Sequence, residues 1–222
     1  VGPNDEAIDL HAEHIARADA WGWEVLRPLL GAGGFLPWSE GAMSPAGLAT
    51  VACEVSFAER TSIVELGSGV STVVLARLAR QLGGRIWAVE HHPGWAEWVR
   101  RQLDRDGLDE IATVIQAPLE PHPGAIDGAP WYAQDALSAL PGSGIELLLV
   151  DGPPGYGDGM ASSRFPALPV LGPRLAEGAL VVLDDVDRPP EAAILDAWER
   201  ETGYSFDRRP AERIAVGRPG VS

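Results

Sequence analysis

Three stretches of this chain hold residues whose types and spacing could do chemistry: Glu65 to Thr72, Glu90 to His92, and the aspartates Asp151 and Asp184-Asp185. In the first, an apolar β-branched run ends in Glu65. Gly67 and Gly69 follow at alternate positions, and an apolar-periodic segment from Val73 to Leu82 closes on Gly83 and Gly84. This pattern predicts a strand, a tight turn and a helix. Glycines let the backbone turn sharply and approach a ligand with no Cβ in the way, Ser68 stands between them, and Ser71 or Thr72 can cap the helix. A dinucleotide turn would need a third glycine and room for a pyrophosphate. Thr72 stands at that position instead, and Glu65 puts a carboxylate where the pyrophosphate would lie. The turn therefore suits a cofactor with positive charge and no phosphate.

The other acids close strands in the same way. Arg85 to Glu90 reads as a second strand, and Glu90 stands about twenty residues beyond the glycines, where an acid can accept hydrogen bonds from ribose hydroxyls. His91 and His92 follow it. Ile145 to Val150 is a continuous apolar run ending at Asp151, and Ala179 to Leu183 ends at Asp184-Asp185. Ligands in doubly wound sheets bind beyond the carboxyl ends of the strands, so these acids share one edge. Three converging carboxylates repel unless something positive lies among them. A hard divalent cation with oxygen ligands is one answer; salt bridges from Arg164 and Arg188 are the other.

The elements that must position these residues can be followed along the chain. Asp5 to Leu30 reads as one or two helices with a break near Gly22 or Pro28, carrying Ile8, Ala12 and Ile15 on one face. Ser44 caps a helix with Pro45 at its first position, running to about Ala58. Pro93 opens a helix to about Arg105, Ile111 to Gln116 is a third strand, and Pro118 to Pro130 is a long loop ending in Trp131-Tyr132. Gln134 to Leu140 reads as a short helix and Arg164 to Ala176 as a proline-interrupted one. Pro189 opens another helix, and Tyr204 to Arg208 with Arg213 to Val216 read as a closing strand pair. Residues 1–43 form an N-terminal helical segment and loop, a lid or dimer surface; residues 44–222 form the cofactor-binding domain.

The totals narrow the class. The chain has 222 residues, enough for one sizeable α/β domain. A net charge of −15 argues against nucleic acid and anionic membranes as partners. Cys53 is the only cysteine, which excludes an internal disulfide framework. The absence of a long apolar run or signal-type segment leads to the expectation of a cytoplasmic protein. Eight tryptophans, several near the N-terminal segment, leave room for a homodimer.

From Ser44 to Val216 the chain resembles the class I S-adenosylmethionine (SAM) methyltransferases. The resemblance rests on the Glu65-Gly67-Gly69 turn, the acid at Glu90, and the aspartates Asp151 and Asp184-Asp185 in the family's order. It implies a Rossmann-like α/β fold with a seven-stranded, mostly parallel sheet, an antiparallel last strand and helices on both faces. Glu65, Gly67, Ser68, Gly69, Ser71 and Thr72 would seat SAM, Glu90 and His91 its ribose, Gln116 and Ala117 its adenine, with Asp151 nearby. Asp151, Asp184 and Asp185 also look like the metal triad of the Mg²⁺-dependent O-methyltransferases of catechol and macrolide-sugar type. The resemblance thus implies Mg²⁺ and a small-molecule or sugar acceptor, a vicinal diol above all, with Arg164 and Arg188 against an acidic group on it. The Trp131-Tyr132 pair that ends the long loop either flanks the adenine or the acceptor, or anchors the loop to the core. Those relatives often carry a Lys or His base three positions after the first aspartate; here Pro154 stands there. His92, His122 and Asp151 itself are the remaining candidates for the base. The competing readings are a metal-independent N- or C-methyltransferase, an NAD-dependent oxidoreductase, and a SAM-binding protein without catalysis.

Overall fold

The computed structural model describes residues 3–220, with side chains from residue 10 onward. Nine strands occur among them: β1 (Ser62–Leu66), β2 (Arg85–Glu90), β3 (Ala112–Gln116), β4 (Leu119–Pro121), β5 (Pro130–Tyr132), β6 (Ile145–Val150), β7 (Leu175–Asp184), β8 (Tyr204–Arg209) and β9 (Ile214–Pro219). The helices are α1 (Pro3–Leu30), α2 (Pro45–Phe57), α3 (Val70–Leu82), α4 (Pro93–Arg105), α5 (Ala167–Leu171) and α6 (Pro189–Thr202). Seven strands form one sheet in the order β3-β2-β1-β6-β7-β9-β8. The first five in that order run parallel, and β9 is antiparallel to both its neighbours. This is the expected Rossmann-like α/β sheet with its antiparallel last strand.

Strand side chains alternate between faces, and here both faces are covered. Ile63, Leu147, Leu149, Leu180 and Val182 pack under α2, α3 and α4. Val64, Leu66, Leu148, Val150, Val181 and Leu183 pack against α5, α6 and the buried rings of Trp131 and Trp198. Burial on both sides is why β1 and β6 read as unbroken apolar runs, each such side chain contributing about 1.5–3 kcal/mol. In register, Leu66 pairs with Val89 on one side and Val150 on the other. The carboxyl ends of β1, β2 and β6 are therefore level, and chain order reverses between β1 and β6, which opens a crevice there.

Three sequence expectations are corrected. The N-terminal helix runs unbroken from Pro3 to Leu30. Gly22 is not a break but a crossing point, since a Cβ there would lie 2.4 Å from the Pro45 carbonyl carbon. Pro28 lies in the last turn, so the hydrogen bond its missing N–H gives up, to the carbonyl four residues earlier, falls at the helix end and does not divide the helix. The stretch from Pro118 to Pro130 is not simply loop: β4 and β5 pair antiparallel, joined across a short 3₁₀ turn at Ile126–Gly128. Finally, the Arg164–Ala176 helix shrinks to Ala167–Leu171 and a 3₁₀ turn, because Pro173 ends it and β7 already begins at Leu175. The Ser44 cap forms as expected, its hydroxyl accepting from the Gly47 N–H at 3.0 Å. Ile8 lies outside the described side chains.

Candidate active site

A cavity of about 420 Å³ opens at the carboxyl ends of the parallel strands, within the size range of small-molecule sites. Its floor is the glycine turn. Gly67 has φ +90°, and a Cβ there would lie 3.1 Å from the Gly152 nitrogen, so the turn after β1 and the one after β6 touch backbone to backbone. Gly69 caps α3, and nothing stands closer than 3.9 Å to where its Cβ would be. The backbone is thus bare toward the cavity, as a close-lying ligand requires.

Glu65 does not reach this space. It is fully buried, absent from the cavity lining, and takes hydrogen bonds from the Ser71 and Thr72 hydroxyls. Thr72 also accepts from the Gly69 N–H at 2.9 Å. Neither hydroxyl is the helix N-cap; together they tie the first turn of α3 to the end of β1. Burial pushes the Glu65 carboxyl up to about 7, against the lowering effect of those two bonds. Its role is to shape the turn from beneath.

Glu90, by contrast, lines the cavity and is held in place from four directions. Its carboxylate accepts from the Ser68 N–H at 3.0 Å, the Ser68 hydroxyl at 3.2 Å and the His92 N–H at 2.7 Å, with His91 Nδ1 at 3.0 Å. Burial raises this carboxyl, but the bonds from His91, His92 and Ser68 outweigh it and hold it below the ordinary glutamate range. An ionised acid therefore faces the cavity.

At the opposite end stand Asp151, Asp184 and Asp185, each offering an oxygen within 4.8 Å of the others. Arg164, only 3% exposed, reaches among them. Its Nε donates to the Pro153 carbonyl at 3.1 Å, Nη1 to the Asp184 carbonyl at 3.0 Å, and Nη2 to the Asp151 carbonyl at 2.6 Å and Asp185 Oδ2 at 2.9 Å. Arg188 adds a second contact to Asp185 Oδ2 at 2.8 Å. Burial raises Asp151 to about 7 and Asp184 well above the ordinary range; Arg164 opposes both, Asp185 adds to both, and the Asp184 side chain, hydrogen-bonded to Asp151, pulls Asp151 down. As a fit for Mg²⁺, the three carboxylates have the right atoms and spacing. Their surroundings do not suit it, because a fixed guanidinium already lies between Asp151 and Asp185.

Of the other residues singled out from sequence, Gly67, Ser68, Gly69, Ser71, His91, His92, Tyr132 and Arg188 line the cavity. His92 caps α4, its Nδ1 accepting from the Trp95 N–H. Gln116, Ala117, His122, Trp131 and Thr72 are not brought to it. Gln116 is exposed at the end of β3, Ala117 donates its N–H to the Glu90 carbonyl, His122 accepts from Gly124 in the β4–β5 ribbon, and Trp131 is sealed in the core. The ribbon folds His122 away from the strand ends and sends Trp131 into the core, the anchoring alternative for that aromatic pair, while Tyr132 lines the cavity.

Several lining residues were missed, Val70, Gly152 and Tyr156 among them, and two stretches of the wall stand out. Trp95, in the first turn of α4, stacks on Trp98 at 4.7 Å and donates its indole N–H to the Ser68 carbonyl. An aromatic one turn after the acid-ended strand was the available signal. Ser39 to Met43 form the other, with no local signal at all.

A sheet of this order with a bare glycine turn, an ionised acid at the second strand end and further acids across the crevice defines a methyltransferase of class I. A family model described as a methyltransferase domain matches residues 64–186, more than half of the chain. The protein belongs to this family, the class I SAM-dependent methyltransferases. No curated protein sequence matches it. Among solved structures it is similar to a methyltransferase from Podospora anserina bound to S-adenosylhomocysteine (SAH), at 15% identity and TM-score 0.65, covering 100% of this chain and 98% of that one. It is also similar to an O-methyltransferase from Bacillus cereus in complex with SAH, at 17% identity, TM-score 0.59 and coverage of 89% and 90%. A third is the O-methyltransferase of tomaymycin synthesis from Streptomyces achromogenes, in complex with SAM, at 16% identity, TM-score 0.56 and coverage of 92% and 90%. These likenesses speak to the fold. Among the described residues, no helix is long and apolar enough to cross a membrane.

Proposed function

We propose that this enzyme binds SAM in the crevice between β1 and β6 and methylates a hydroxyl of a small-molecule acceptor. The observation that carries the reading is one cavity bounded by the bare Gly67–Gly69 turn and ionised Glu90 at one end and by Asp151 at the other. SAM supplies an electrophilic methyl on a sulfonium. Glu90 takes the ribose hydroxyls, which displace the two mobile donors on it, the Ser68 hydroxyl and His91, and leave the two backbone N–H groups in place. Trp95 and the glycine turn bound the cofactor end.

The acceptor hydroxyl lies against Asp151. As its oxygen forms the new bond to carbon, the sulfur–carbon bond breaks with its electron pair left on sulfur, and the hydroxyl proton passes to the Asp151 carboxylate. A carboxyl with a pKa near 7 is matched to that task. Most of the rate comes from holding oxygen and methyl at attack distance. The same relatives that suggest O-methylation leave the acceptor's identity to be found by screening sugars, phenols and catechols.

Calorimetric titration of SAH, SAM and NAD into the protein tests the cofactor. SAM and SAH are expected to bind and NAD is not; binding of NAD alone would overturn the reading. The carboxylate role is tested by Glu90→Ala, expected to weaken SAH at least tenfold.

A further inference from the structure

Asp151, Asp184 and Asp185 have the composition of a divalent-metal site, and the reading above leaves open what balances their charge. Mg²⁺ demands near-octahedral oxygen ligands at about 2.0–2.1 Å and keeps several waters. Such a shell needs empty volume between the carboxylates. In this protein Arg164 stands between two of them, Asp151 and Asp185. Its Nη2 lies 2.9 Å from Asp185 Oδ2 and 3.5 Å from Asp151 Oδ1. Arg188 Nη1 lies 2.8 Å from the same Asp185 oxygen, so two guanidiniums share that carboxylate.

Nor can Arg164 step aside for an ion. Three backbone carbonyls, those of Asp151, Pro153 and Asp184, hold its fork, and its side chain is 4% exposed. Withdrawal would leave those carbonyls without their donor and take from Glu191 one of its two guanidiniums; the Glu191 side chain is fully buried, has no hydrogen-bond partner, and lies 3.8 Å from Arg164 Nη1 and 3.9 Å from Arg188 Nη1. A guanidinium also never loses its charge in a protein, so it cannot tolerate a doubly charged neighbour by becoming neutral. Asp185 is built for this contact: it adopts φ +62°, a left-handed conformation that aspartate tolerates, directly after β7.

We propose that Arg164 is the resident cation of this acid cluster, standing among the carboxylates that the sequence resemblance assigns to Mg²⁺, and that methyl transfer here needs no divalent metal. The inference rests on the methyltransferase reading and sharpens its acceptor class. Without a chelating ion the acceptor needs no second hydroxyl, so a single alcohol or phenol suffices and the vicinal-diol requirement falls.

The test titrates Mn²⁺, as a spectroscopic stand-in for Mg²⁺, into the SAH-bound full chain, read by electron paramagnetic resonance. No stoichiometric binding is expected up to the order of 1 mM, and turnover of any acceptor found should be unchanged by excess EDTA. One-to-one Mn²⁺ binding that is lost in Asp184→Asn, or EDTA inactivation reversed by Mg²⁺, overturns the proposal. Arg164→Met should gain Mn²⁺ binding at least tenfold over wild type; a folded variant without that gain shows the guanidinium is not what occupies the site, and overturns it too. Arg164→Gln, which removes the charge but keeps a donor for the backbone carbonyls, serves if the methionine variant does not fold, with the same gain expected and its absence in a folded protein equally overturning the proposal. Failure of SAH to bind would sink the methyltransferase reading itself, a result distinct from any with Mn²⁺.

Discussion

Glu65, fully buried, and Asp151, whose side chain is 20% exposed, are carboxyls both pushed to about 7, yet they have opposite consequences. Asp151 faces the cavity, where a proton can come and go. The rate of transfer should therefore rise along an acid limb near pH 7, and Asp151→Asn should lower kcat by about 10²- to 10⁴-fold and abolish that limb; a pH–rate profile of the two proteins checks both. Glu65 faces only Ser71 and Thr72. Its folded pKa lies above the unfolded value near 4.5, so the folded state binds the extra proton between the two. Stability is full below about pH 4.5 and is lost as pH rises through 7, by roughly 3 kcal/mol on the 1.36 kcal/mol-per-unit relation. Glu65→Gln keeps an acceptor for the hydroxyls without the charge. Thermal melts should show it more stable than wild type at pH 8 and about equal at pH 4.5.

Among the elements, α1 is the one whose attachment decides the shape of the cavity. It crosses α2 at Gly22, and its last turn is clasped by Arg77 of α3, which donates to the carbonyls of Leu29 at 2.9 Å and Leu30 at 3.1 Å. Those are orphan carbonyls of a helix end, where a cation also meets the favourable end of the dipole. Arg77 is fully buried and pairs with Asp106, which in turn accepts the Gly34 N–H at 3.0 Å. The clasp thus fixes the chain just before Ser39 to Met43, the cavity wall that sequence did not reveal. Removing one partner strands the other charge in the interior. Arg77→Met is expected to cost about 3–5 kcal/mol in urea unfolding. The double variant with Asp106→Asn should cost less than the sum of the single ones.

At the scale of the whole molecule the excess of acid is the governing feature. A net charge of −15 repels itself across one domain. Since surface charges are screened over about 8–10 Å near physiological ionic strength, raising KCl from low salt should raise the melting temperature. The same field repels polyphosphates, so mobility-shift assays with duplex DNA should show no complex at low salt, where electrostatic binding is strongest. A salt-sensitive DNA complex would contradict the expectation drawn from composition.

The sequence by itself determined the sheet and most of the glycine-turn end of the cavity. Strands buried on both faces must be written as apolar runs, and a turn that presses against a neighbouring backbone must be written in glycine, so β1, β6 and Gly67 are legible locally. Glu90 was legible for the same reason, since its place follows from the end of a strand. Other assignments depended on contacts between residues far apart in the chain. Glu65 appeared to point into the site, and only the packing of α3 on β1 turned it under the floor. Trp131 and His122 were drawn away by the pairing of β4 with β5, for which three-residue strands leave almost no pattern. The acid cluster is the sharpest case. Spacing brought Asp151, Asp184 and Asp185 to one edge but could not say whether a metal or an arginine balances them, because Arg164 arrives from a separate loop and its burial is fixed only by tertiary structure.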